Sequence, residues 1–73
     1  MTNLEKYQAI QKKKAAAIKS YFIARDEIKS DSMMAEMEGR VKAYDECLII
    51  MATNLTMAEY AIATMEEEKI ATL

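Results

Sequence analysis

The stretch TNLT, Thr53 to Thr56, decides the architecture of this chain. On its N-terminal side Met34, Met37, Val41, Tyr44, Leu48 and Met51 recur in alternating steps of three and four, the heptad pattern of a helix that buries one seam. On its C-terminal side Leu55, Ala58, Ile62 and Met65 continue that pattern in the same phase. By periodicity alone, residues 33–71 form one helix roughly 58 Å long at 1.5 Å per residue. A competing signal lies inside the stretch itself. Asn54 is a residue type that tolerates a left-handed helix end. Thr56 and Glu59 match the S/T-x-x-E capping box, in which each side chain bonds a free backbone N–H of the other. A turn at 53–56 then starts a third helical segment, about 56–72, that folds back parallel to the first helix. Charge favours the turn, because the fold-back brings Glu66, Glu67 and Glu68 near Lys12, Lys13 and Lys14. The unbroken helix is the alternative.

Toward the N-terminus, Thr2 and Glu5 form another capping box, and Leu4, Tyr7, Ile10, Ala17, Ile18, Tyr21, Ala24 and Ile28 form an inward stripe, with Lys14 snorkelling along it. This predicts a first helix over about 3–29, with Lys29 in its last turn, where the helix dipole favours a cation. The polar cluster KSDS, Lys29 to Ser32, ends it, and a second helix over about 33–52 follows. A link this short makes the two helices an antiparallel hairpin. Facing residue numbers then sum to about 61, which pairs Arg25 with Glu36 and Lys14 with Glu46. The fold class is therefore all-α: a helical hairpin with a third segment, assembled with other copies as a coiled-coil-like helical bundle, the whole of 1–73 being one small domain.

Composition explains why assembly is expected. A chain of 73 residues buries only about 60% of its unfolded surface, a marginal core. Disulfides, metals or oligomerisation ordinarily make up the shortfall. One cysteine and no histidine leave oligomerisation or a partner protein. No apolar run approaches the ~20 residues of a bilayer span, and MTNLEKYQ lacks the apolar region of a signal peptide, so the expected setting is the cytoplasm, away from membranes.

The run CLIIMA, Cys47 to Ala52, is apolar on every side. Leu48 and Met51 belong to the inward stripe, but Ile49 and Ile50 point away from it. Burying a side chain of that size is worth ~1.5–3 kcal/mol, so two adjacent isoleucines in water imply a covering surface. Cys47, Ile49, Ile50 and Met57 are accordingly the candidate interface to a second copy, a dimer first, or to another protein. Seven methionines read as gap-fillers of a thin core, with Met33 and Met57, off the main stripe, candidates for an adaptable binding surface.

Reactive chemistry is not visible. Without histidine the commonest acid–base residue is missing, and no catalytic, metal or cofactor site is assigned. Cys47, in an apolar run beside Asp45 and Glu46, reads as an inert packing cysteine. Glu36, Glu38, Asp45 and Glu46 lack the Glu-x-x-His partners of a di-metal bundle and read as a solvated face. Lys12, Lys13, Lys14 and Lys19 form a possible basic strip for nonspecific phosphate contact. The chain is acidic overall, with a charge of −2 and a pI near 5.1. Its first 29 residues carry seven basic side chains against three acids, and the remainder three against nine. The lysines are therefore expected to be solvated or paired within the protein. The functional expectation is a small non-enzymatic interaction protein that self-associates, acting as an accessory subunit or as a regulator or inhibitor. The alternative is a nucleic-acid-associated regulator.

Overall fold

The computed structural model describes the backbone of residues 1–72 and the side chains of residues 1–67. Three α-helices make up the chain, with no strand among the described residues: α1 (Asn3–Ile23), prolonged by a π-helical turn (Ala24–Ile28), α2 (Asp31–Ala52) and α3 (Met57–Thr72). Helix α1 packs against both others, and the buried centre takes one residue from each helix, Tyr7, Leu48 and Ala63. Leu4, Ile10, Met51, Ala52 and Leu55 close around it.

Side-chain caps set three helix starts. Thr2 Oγ1 accepts from the Glu5 N–H at 3.1 Å while Glu5 Oε1 accepts from the Thr2 N–H at 3.2 Å. The same reciprocal box opens α3, with Thr56 and Glu59 at 3.0 and 3.2 Å. Helix α2 starts two residues earlier than the sequence pattern suggests, because Ser30 takes the cap by accepting from the Met33 N–H at 3.3 Å. That earlier start shortens the link to Lys29 and Ser30. Lys29 is not in the last helical turn but past it, in the left-handed region at φ 56°, ψ 45°. Its N–H and that of Ser30 both reach the Ala24 carbonyl, which ties off the widened π turn.

The shorter link also corrects the register. Moving its centre one position toward the N-terminus lowers the facing sum from 61 to 59, and Lys14 Nζ meets Asp45 at 2.8 Å instead of Glu46. Arg25 pairs with its neighbour Asp26 at 2.9 Å, and Glu36 with Arg40 one turn along α2 at 2.8 Å, so the expected Arg25–Glu36 pair is absent.

At residues 53–56 the heptad phase is overridden and the helix stops, so the single long helix is excluded. The stop is not left-handed. Among the described residues only Lys29 has positive φ, and Asn54 does not. Instead the N–H groups of Thr53, Asn54 and Leu55 bond the carbonyls three residues back, of Ile50, Met51 and Ala52, which tightens the end into a turn. Thr53 Oγ1 adds a bond to the Ile50 carbonyl at 2.7 Å. Helix α3 then runs alongside α1. The Tyr7 and Tyr60 rings meet edge to face at 6.4 Å, and Gln11 Nε2 donates to the Ala63 carbonyl at 3.0 Å.

Two local energies can be checked. A non-glycine residue in the left-handed region carries roughly 1–2 kcal/mol of strain, so Lys29→Gly is expected to raise the melting free energy by about 1 kcal/mol; no gain, or a loss, in a thermal melt at fixed concentration contradicts the assigned conformation. Removing an N-cap costs about 0.5–2 kcal/mol, so Thr56→Ala is expected to destabilise, whereas a more stable variant means that Thr56 lies inside a helix.

Candidate interaction surface

The inward side of the molecule is small. Apart from Tyr7 and Leu48, its buried apolar residues are alanines: Ala17, Ala24 and Ala63. Alanine lets helix axes approach closely but removes little apolar area from water. Gln11 is also buried, at 4% exposure, which the apolar stripe did not anticipate. It lies where α3 crosses α1, and its Oε1 has no hydrogen-bond partner. Only the amide nitrogen can donate to the Ala63 carbonyl, so the oxygen is left over at a cost of roughly 1–3 kcal/mol. The signal for its burial is its position seven residues from Leu4, four from Tyr7 and Ala15 and three from Lys14, visible only once a second helix is known to lie on that side.

The outward side is rich in large apolar residues. Met57 is 91% exposed, Ile50 68% and Ile49 65%. Ile18, Phe22, Ile28, Tyr60, Ile62 and Met65 are exposed too. Ile18 and Ile28 leave the expected inward stripe. Helix α1 is gripped from two sides, which shifts its buried arc toward Gln11, and the five-residue π turn adds a residue that carries Ile28 away from α2. Phe22 receives the Arg25 guanidinium at 4.8 Å and the Tyr21 ring at 5.7 Å, which shields part of its surface.

Cys47 is exposed, against its expected role as a packing residue. At about 100° per residue it sits one step beyond Leu48, past the edge of the arc that α1 covers. It adjoins Ile50 on the uncovered side of α2, so the described fold leaves Cys47, Ile49, Ile50 and Met57 all open to solvent.

The candidate lysines diverge around α1. Lys12 and Lys19 fall on one side within about 20° of each other, Lys13 lies about 100° further round, and Lys14 turns to Asp45. Lys12 shares a shallow cleft of about 200 Å³ with Gln8, Gln11 and Glu66, so the fold-back brings the first of the acidic run to the first of the lysines. The side chain of Glu68 lies outside the described residues.

A second open cleft of about 340 Å³ lies between α2 and α3. Tyr7 and Lys14 are its α1 contribution, Asp45, Leu48 and Ile49 stand on the α2 side, and Tyr60 and Glu67 on the α3 side. Burial pushes the Tyr7 phenol up from 10.0, and Tyr60, Glu67 and Asp45 push it in the same direction. A raised phenol pKa favours the neutral form in the folded state. Its contribution to stability is full below pH 10 and declines as pH rises through the folded value. The alkaline absorbance difference between the parent and Tyr7→Phe is expected to give a midpoint above 10.0; a midpoint at or below it places Tyr7 in water.

No group of His, Cys, Asp or Glu among the described residues is placed to hold a metal ion. No helix among them is long and apolar enough to cross a membrane. No family model, curated protein or solved structure matches this chain.

Proposed function

We propose that this protein is a non-enzymatic interaction module that self-associates and acts by binding, as an accessory subunit, a regulator or an inhibitor of another protein. In this reading the α1–α2 hairpin and α3 form part of a helical bundle completed by another chain. One observation carries it: the surface is too large. A compact monomer of 8.3 kDa exposes about 4600 Å², whereas this chain exposes 5392 Å². Its radius of gyration is 13.5 Å, against about 11 Å for a compact chain of this length. The difference, roughly 800 Å², is the area each partner contributes to a standard protein–protein interface. The residues that supply it are apolar, with Ile49, Ile50 and Met57 foremost and Cys47 beside them. The divergence of Lys12, Lys13, Lys14 and Lys19 supports contact with protein more than with a phosphate backbone.

Sedimentation equilibrium tests the proposal. The parent chain is expected to associate at tens of micromolar, and labelling of Cys47 by a thiol reagent is expected to slow as chain concentration rises. Ile49→Glu with Ile50→Glu weakens association and leaves the helical circular dichroism in place. A parent chain that is monomeric at that concentration, with a labelling rate independent of concentration, overturns self-association.

A further inference from the structure

Helix α3 carries its polarity the wrong way round for an isolated chain. A surface helix ordinarily turns an apolar stripe to the core and its charges to water. Between residues 57 and 67 the charges of α3 turn inward or sideways. Glu59 is half-buried and holds the Thr56 N–H, Glu66 is half-buried beside Gln11 and Lys12, and Glu67 lines the cleft with Tyr7 and Tyr60. The side that faces water holds Ala58, Ala61, Ile62 and Met65. Ile62 is 47% exposed and Met65 63%. At about 100° per residue these four share an arc of about 100°, centred about 150° from Ala63, the fully buried contact with α1. No charged residue between positions 57 and 67 lies in that arc.

We infer that this outer face is a seam on which α3 of a second copy of the chain lies, antiparallel to it. The inference rests on the self-association proposed above and adds a surface to it. Three features select a second copy. Between positions 57 and 67 the face is uncharged, so that stretch offers neither a basic nor an acidic partner any complementarity, whereas the same stretch on another copy matches it. Its residue sizes are self-complementary. An antiparallel pair centred between Ala61 and Ile62 sets Ala58 against Met65 and Ala61 against Ile62, small against large on both sides of a two-fold axis, as an isologous contact requires. A parallel pair sets Met65 on Met65 and leaves the alanines facing a gap. Finally, Ile49 and Ile50 occupy a single turn of α2 and cannot by themselves account for a surplus of roughly 800 Å². Helix α3 adds Ile62 and Met65 to that exposed apolar surface.

Two measurements on the full chain test the seam. Ile62→Glu with Met65→Glu is expected to raise the concentration for half-association about tenfold or more, with circular dichroism unchanged because both side chains are exposed in the single chain. In a Cys47→Ala background, Ala61→Cys lies next to the two-fold axis and is expected to cross-link to itself under mild oxidation. Ala58→Cys, whose opposite number is Met65, is expected not to. An associating parent that ignores the double Glu substitution, or that cross-links through position 58 and not 61, overturns the antiparallel seam and leaves self-association through Ile49 and Ile50 standing. A monomeric parent with no cross-link at position 61 removes both. Loss of circular dichroism in the double variant shows that Ile62 and Met65 support the fold, and so also overturns the seam.

Discussion

The contact of Tyr7 with Leu48 and Ala63 is the constraint from which the rest of the molecule follows, since there, among the described residues, all three helices share a buried centre. Ala63 is fully buried and small, so α3 approaches α1 closely enough for Gln11 to reach its carbonyl. That approach fixes α3 alongside α1 and turns Glu66 toward Lys12. It also buries Gln11 with one acceptor unmet. A single hydrogen bond in a thin core contributes about 0.5–1.5 kcal/mol net, comparable with the cost of the orphan oxygen. Gln11 therefore locates α3 along α1 more than it stabilises it. The Lys14–Asp45 pair does the same for α2: with both side chains partly exposed its stability contribution is at most about 1 kcal/mol, but it marks the register.

The starts of α1 and α3 were legible because their signals are local. A threonine followed three residues later by glutamate specifies its own hydrogen bonds, whatever the rest of the chain does, and both boxes form. The heptad phase was misleading across 53–56. Periodicity records which side of a helix is apolar, and it stays in phase by chance when a four-residue turn replaces roughly one helical turn. The link between α1 and α2 was misplaced for a different reason. Ser30 and Ser32 are equally good caps as residue types, and the choice between them depends on a left-handed lysine that no pattern announces, since glycine is the usual occupant of that site. One residue of displacement there was enough to move both charge pairs predicted between α1 and α2.

The surface was legible in part. Ile49 and Ile50 stood out because they break the stripe of their own helix, and they are open to solvent in the fold. The outer face of α3 did not stand out, because Ala58, Ile62 and Met65 fitted the continuing heptad and so read as core. Only the turn at 53–56 reveals that this stripe faces away from α1. Cys47 was misjudged by the same shortcut, since being flanked by apolar residues in sequence is not being covered by them in space.

The four-residue connection before α3 has a further consequence, for the order in which the structure opens. Helices α1 and α2 are joined by two residues and pack along much of their length, so their contact closes a short loop. Gln11 and Ala63 are 52 residues apart in sequence, and among the described residues α3 makes its main contact with α1. Closing a longer loop for a smaller contact yields less net free energy, and segments of that kind populate the open end of the local-stability spectrum. Helix α3 is thus a tethered arm, the first element to detach from α1 and the last to return. In a molecule whose arm already carries apolar side chains on its outer side, detachment uncovers the inner side as well, so the open state presents more apolar surface to water than the closed one.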